Sequence, residues 1–146
     1  MAFKRYADAA WAGDLQTGKG SMSTPQSGLF DAQNYSFKTR FGDEKGTNPE
    51  ELLAAAHAGC FSMAFASSLS KAGFQPQRVH TVANVRLEKV GDGFKITRID
   101  LQTEAAVPGI SEEQFQQIGE AAKKGCPVSQ ALSATEITLQ AKLVSA

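Results

Sequence analysis

The chain predicts an α+β fold in which antiparallel strands wrap on a long buried central helix. Three observations carry that expectation. Residues 47–73 read as one uninterrupted helix with almost no polar face. The stretches on either side alternate polar and apolar residues with the period of strands. The 146 residues, 42% of them hydrophobic, suffice for a single domain, 1–146, with its own core. The order reads βββ, long α, ββ, α, short α, β, with no internal repeat.

Strands are expected over Ala7 to Ala12 and Gly18 to Thr24, joined through the Gly13-Asp14 turn. Pro25 to Ala32 is a loop. Tyr35, Phe37, Thr39 and Phe41 then alternate with Ser36, Lys38 and Arg40, which predicts a third strand with an aromatic face and Arg40 opposite it. Gly42 to Gly46 turns the chain toward the helix. Thr47 with Glu50, or Asn48 with Glu51, has capping-box spacing. Asn48 as the cap sets Pro49 at the first helical position, and Gly73 supplies the stop.

From Leu52 to Ala66 the single strongly polar residue is His57, so the helix is expected to be wrapped on all sides. Ala54, Ala55, Ala56, Ala58, Gly59, Ala64 and Ala66 keep it thin, which suits close helix-on-helix contact. The apolar run reads as too short and too Ala-rich for a membrane span.

Beyond Gly73, Val79, Thr81, Ala83, Val85 and Leu87 share one strand face, and Gly91-Asp92-Gly93 is hairpin chemistry. The return strand runs from Phe94 to about Ala105, with Ile99, Leu101, Thr103 and Ala105 on one side. Ser111 with Gln114 opens a second helix with a Phe115, Ile118 and Ala122 stripe. Cys126-Pro127 begins a short helix, and Ile137, Leu139, Ala141 and Leu143 mark a last strand.

Fifteen basic and fifteen acidic residues cancel, and no basic run appears, so no nucleic acid and no anionic membrane is expected as a partner. The N-terminus lacks an apolar segment of signal-peptide length, which makes the cytoplasm the expected compartment. Two cysteines in a reducing compartment are not a disulfide framework, and their reactivity is the useful question.

Cys60, in mid-helix, reads either as a small core residue or as a reactive thiol. Cys126, between Gly125 and Pro127 at a helix start, has free N–H groups nearby that favour a thiolate; its bland alternative is packing under a turn. His57 faces Cys60 at i,i+3 and either tunes it or touches a neighbouring strand. His57, Cys60 and Cys126 form a weak candidate metal set, with no C-x-x-C or H-x-x-x-H pair. His80 reads as solvated. A thiolate at Cys60 would need a cation in its apolar setting, and Arg40 is the candidate, with a surface strand arginine as the alternative.

Asn48-Pro49-Glu50-Glu51-Leu52, Ala56-His57-Ala58-Gly59-Cys60-Phe61-Ser62-Met63, Val107-Pro108-Gly109-Ile110 and Gly125-Cys126-Pro127-Val128-Ser129 together resemble the osmotically inducible protein C family, sister to the organic hydroperoxide resistance proteins. Trp11-Ala12-Gly13-Asp14 and Thr39-Arg40-Phe41 follow in family order. The resemblance implies a cysteine-based peroxidase that reduces organic hydroperoxides, and hydrogen peroxide less well, without metal, haem, flavin or other cofactor. It implies Cys60 as the peroxidatic thiol, Cys126 as the resolving thiol, and Arg40 paired with both the Cys60 thiolate and Glu50. It further implies an intertwined homodimer and an external dithiol reductant, for which a lipoyl protein fits.

Glu50 and Cys60 are ten residues apart, hence about 15 Å along one helix. Either the helix bends sharply or Glu50 serves the partner's thiol across an antiparallel helix pair, and the sequence favours the second. Two rival readings stand: a hydroperoxide sensor using the same cysteines, and an apolar-ligand binding protein with inert cysteines and Phe61, Met63 and Phe65 lining its pocket.

Overall fold

The computed structural model describes all 146 residues. They cluster into two compact units, Met1–Leu52 and Leu53–Ala146.

The first unit is a three-stranded antiparallel sheet followed by a short helix. β1 (Asp8–Ala12), β2 (Lys19–Ser23) and β3 (Gln33–Tyr35) lie in that order. Trp11, Gly20 and Tyr35 stand abreast in the register. The Trp11 and Tyr35 rings meet at 5.5 Å over the glycine. A Cβ at Gly20 would come within 2.5 Å of the tyrosine ring, so no larger residue fits there.

The expected third strand through Phe41 is not formed. The chain leaves the sheet at Tyr35, and Phe37–Phe41 is a five-residue helix, α1. Ser36 caps it: its hydroxyl accepts from the Thr39 N–H while the Thr39 hydroxyl accepts from the Ser36 N–H. That capping box outweighs the alternating pattern, because it satisfies two end groups that a third strand would leave to other partners. Phe37 and Phe41 become i,i+4 neighbours with rings 4.8 Å apart. Arg40 is correspondingly not opposite the aromatics; its guanidinium lies 5.2 Å from the Phe41 ring centre.

The long helix, α2 (Pro49–Lys71), begins as its caps predict. The Asn48 side-chain oxygen accepts from the Glu51 N–H at 2.8 Å. At the far end the Phe74 N–H reaches the Leu69 carbonyl and the Gly73 N–H reaches the Ser70 carbonyl, with Gly73 at φ +91°. This is a Schellman stop, and it needs glycine's left-handed freedom. With 23 residues and high apolarity, α2 meets the length and composition of a membrane span, which corrects the expectation that it is too short. Within this chain only 22% of its apolar window is buried.

In the second unit β4 (Arg78–Val90) and β5 (Gly93–Ala106) form the predicted hairpin, and β6 (Glu136–Val144) lies beside β5. The β5–β6 pairing is parallel, not antiparallel as expected. Between them α3 (Glu112–Gly125) and α4 (Pro127–Ala131) make a helical crossover, which returns the chain to the end where β5 began. α3 opens with the predicted Ser111–Gln114 capping box.

Ile99, Leu101 and Ala105 of the sheet, Phe61, Phe65 and Leu69 of α2, and Phe115 and Ala122 of α3 make the buried core. The hydroxyls of Ser62, Thr81 and Thr103 run through it as a connected thread that ends on the His80 carbonyl. Each buried hydroxyl therefore has a partner. Within this chain α2 is buried along the stripe His57, Phe61, Phe65 and Leu69, not on all sides as expected. Ala55, Ala56, Gly59 and Met63 are exposed, Met63 by 77%. Small or apolar residues on that side are why the sequence reads as apolar all round while one chain covers only part of it.

Candidate active site

Within the first unit, Arg40 and Glu50 are brought together. The Asn48 amide donates to the Thr39 carbonyl, and the Thr39 hydroxyl donates to the Thr47 carbonyl, so α1 is tied to the entry of α2. From α1 the Arg40 Nε contacts both Glu50 carboxylate oxygens, at 3.2 and 3.1 Å, and Nη2 donates to Oε1 at 2.6 Å. Glu50 is buried, while the arginine side chain remains about a third exposed, at 34%. The carboxylate thus fixes one edge of the guanidinium and Nη1 makes none of these bonds. Beside it opens a cleft of about 420 Å³ lined by Trp11, Leu15, Tyr35, Phe37, Arg40 and Phe41.

Within the second unit, the two cysteines are brought together from 66 residues apart, with 3.2 Å between their sulfurs and both thiols free. Cys60 is half-buried, and Cys126 is fully buried at the junction of α3 and α4. Pro127 at the first position of α4 follows the predicted pattern.

The two thiols differ in acidity. Burial pushes Cys60 up; the Val128 N–H opposes this, and Cys126 adds to the rise. Burial also pushes Cys126 up, but the Ser129 N–H, Cys60, the Ser129 hydroxyl and the Val128 N–H outweigh it, and the net direction is down. Either thiol can donate when both are protonated. Cys60 needs a cation brought to it before it becomes the better thiolate.

His57 is fully buried, and its Nε2 lies 2.7 Å from the Ser129 hydroxyl oxygen. Its hydrogen bond is thus to α4. Burial lowers its pKa, which keeps the ring neutral. Ser129 is the residue that sequence reasoning left without a role. Its signal was the spacing: Cys126 and Ser129 are i,i+3, as are His57 and Cys60, so each helix offers two groups on one side. No group of three or more His, Cys, Asp or Glu residues is arranged to hold a metal ion. Phe61 and Phe65 are core residues and Met63 is exposed, so these three do not line a common pocket.

Two free sulfurs in contact, one reachable and one enclosed, are the equipment of a dithiol redox protein. Residues 42–142 match the family described as OsmC-like protein. Over 145 residues the chain is 53% identical to Peroxiredoxin OsmC of Escherichia coli, covering 99% of this chain and 100% of that one. It is 32% identical over 90 residues to an organic hydroperoxide resistance protein-like chain of Staphylococcus aureus, covering 61% of this chain and 64% of that one. Among solved structures, an OsmC-like protein of Mycoplasma pneumoniae has a TM-score of 0.74 at 19% identity, covering 99% of both chains. An OsmC-like protein of Vibrio cholerae has 0.73 at 16% identity, covering 96% of this chain and 99% of that one. At these identities the structures speak for the fold alone.

The chain belongs to the OsmC-like family. That kinship makes it a peroxidase, an oxidoreductase of oxidative-stress defence.

Proposed function

We propose that the chain reduces organic hydroperoxides to alcohols by a two-cysteine cycle. The observation that carries this reading is the 3.2 Å contact between a half-buried Cys60 and a fully buried Cys126. The difference in exposure supports the roles: Cys60 is the thiol open to a peroxide, and the enclosed Cys126 lies against it to resolve what Cys60 becomes. The Cys60 thiolate attacks the distal peroxide oxygen, the O–O bond breaks, and the alkoxide takes a proton and leaves as the alcohol. Cys60 is then a sulfenic acid. Cys126 condenses with it, releasing water, and an external dithiol, of which a lipoyl protein is one kind, reduces the disulfide by exchange.

Arg40 supplies the missing cation. Its fork, held by Glu50 on one edge, stabilises the Cys60 thiolate and then the charge on the departing oxygen. Glu50 precedes Cys60 by ten residues on α2, so the pair serves the Cys60 of a second copy in a homodimer whose α2 helices run antiparallel. The exposed Ala55, Ala56, Gly59 and Met63 side of α2 supports such close approach. The aromatic cleft beside Arg40 suits an organic tail, which favours organic hydroperoxides over hydrogen peroxide. Cytoplasmic residence agrees with two free thiols.

Steady turnover of cumene hydroperoxide with a dithiol tests the proposal. Many turnovers per chain are expected. A single stoichiometric oxidation that no dithiol reverses would favour a sensor, and unchanged thiols would favour an inert binding protein.

A further inference from the structure

The cycle described above uses neither His57 nor Ser129, yet both are buried beside its sulfurs. Polar side chains in such a place persist only with partners. Ser129 meets the His57 ring at 2.7 Å, and its hydroxyl is among the groups that lower the Cys126 thiol one turn back at the start of α4. The His57 ring has that one partner, because its Nδ1 is buried without a hydrogen bond.

The unpartnered nitrogen fixes the tautomer. A hydrogen on Nδ1 would be a buried donor with nowhere to go, and two hydrogens would add an unpaired charge. The neutral ring therefore carries its hydrogen on Nε2, in agreement with burial holding its pKa down. Nε2–H donates to the Ser129 oxygen. A serine hydroxyl has one hydrogen, and with its oxygen already accepting from histidine that hydrogen is free to point at Cys126. The direction follows: His57 Nε2–H donates to Ser129 Oγ, which leaves the serine hydrogen for the Cys126 sulfur whose acidity it raises, and that sulfur faces Cys60 at 3.2 Å.

We propose that His57 and Ser129 are positioning residues for the resolving step, aiming a hydroxyl donor at Cys126 so that its thiolate stands ready for an oxidised Cys60. The inference rests on the two-cysteine reading for its purpose, but the His57–Ser129 pair is present in the reduced protein. In resolution the Cys126 thiolate attacks the Cys60 sulfenic sulfur. An S–S bond forms, the S–O bond breaks, and the leaving hydroxide takes up the proton that Cys126 lost, giving water. Cys126 is oxidised and Cys60 reduced, so no further reagent is needed. A ready thiolate shortens the life of the sulfenic acid, the species that a second peroxide would over-oxidise.

The groups acting on Cys126 come from each neighbouring element. α2 brings Cys60 and, through Ser129, His57; α4 brings the Val128 and Ser129 N–H groups and the Ser129 hydroxyl. The last turn of α3 carries Lys123 and Lys124; Lys123 is engaged by Glu120 and the Ile137 carbonyl, and neither lysine is among the groups shifting the thiol.

The test reads Cys126 alone and needs no peroxidase activity. In the Cys60→Ser background, which keeps a donor beside Cys126 and leaves one thiol in the chain, the ultraviolet absorbance of the thiolate is followed against pH, a readout that needs no reagent to reach the enclosed sulfur. Removing the hydroxyl with Ser129→Ala should raise the midpoint by about one pH unit, leaving about tenfold less thiolate well below it. His57→Leu, which removes the donor behind the serine, should move the midpoint the same way, and His57→Gln, which keeps an N–H, should restore most of it. If burying leucine there prevents folding, the Ser129→Ala and His57→Gln curves still decide. An unmoved midpoint in Ser129→Ala, or a His57→Gln midpoint as high as that of Ser129→Ala, overturns the proposal. Either result leaves the peroxidase reading intact, since that is judged by turnover.

Discussion

Two ends of the same helix hold their polar groups in opposite ways. At the N-terminal end of α2, Glu50 is a buried carboxylate whose charge is matched by Arg40, a strong ion pair with one edge left over. Cys60 and His57 hydrogen-bond to no acidic or basic side chain. Sulfurs, a neutral imidazole and a hydroxyl satisfy one another by hydrogen bonds. A buried carboxylate tolerates its position because a full counter-charge sits against it, whereas neutral groups need only geometry. The neutral end can store a thiol safely but cannot by itself make Cys60 the acidic member of its pair. The charged end holds the cation that the proposed cycle assigns to that task.

The largest effects should come from breaking the neutral end. Cys60→Ser is expected to reduce hydroperoxide turnover to the uncatalysed background. Cys126→Ser should permit one oxidation per chain and then leave a sulfenic acid that dimedone traps. Equal residual turnover in the two variants would contradict the division of roles. Next comes the charged end: Arg40→Lys keeps the charge but loses the planar fork, and kcat/KM should fall by about a hundredfold. Glu50→Gln keeps the shape and releases the guanidinium, with a loss of about tenfold. Wild-type rates in Arg40→Lys would remove the arginine from the chemistry.

The smallest effect concerns stability. His57 has its pKa lowered by burial, so the unfolded chain binds its proton more readily than the folded one. Stability is then full above the unfolded value, about 6.5, and is lost as pH falls from there toward the folded pKa. The thermal midpoint should drop between pH 7 and pH 5 more in the wild type than in His57→Gln. Parallel curves would mean that the histidine is protonated without cost.

How much of this was legible in the chain follows the same physics. Local end signals read true: Asn48-Pro49, Gly73 and the Ser111–Gln114 box mark helix ends in the structure as they do in the sequence. Face patterns read true where one sheet face is buried, as with Ile99, Leu101, Thr103 and Ala105. The misreadings have particular causes. Tyr35 to Phe41 alternates like a strand, but the Ser36–Thr39 capping box sits in the same residues and decides for a helical turn. β6 has the pattern of any half-buried strand, and only the α3–α4 crossover makes its pairing parallel. Around Cys60 and Cys126 the motifs named the cysteines, but the His57–Ser129 contact joins residues 72 apart and carries no periodic signature. It becomes visible once α4 is seen against α2.

The most direct measurement is a peptide map of the reduced protein after one equivalent of cumene hydroperoxide. A disulfide linking Cys60 to Cys126, with one cumyl alcohol released per chain, is the predicted result. Both thiols still free, or oxidation confined to Cys126, would contradict the account.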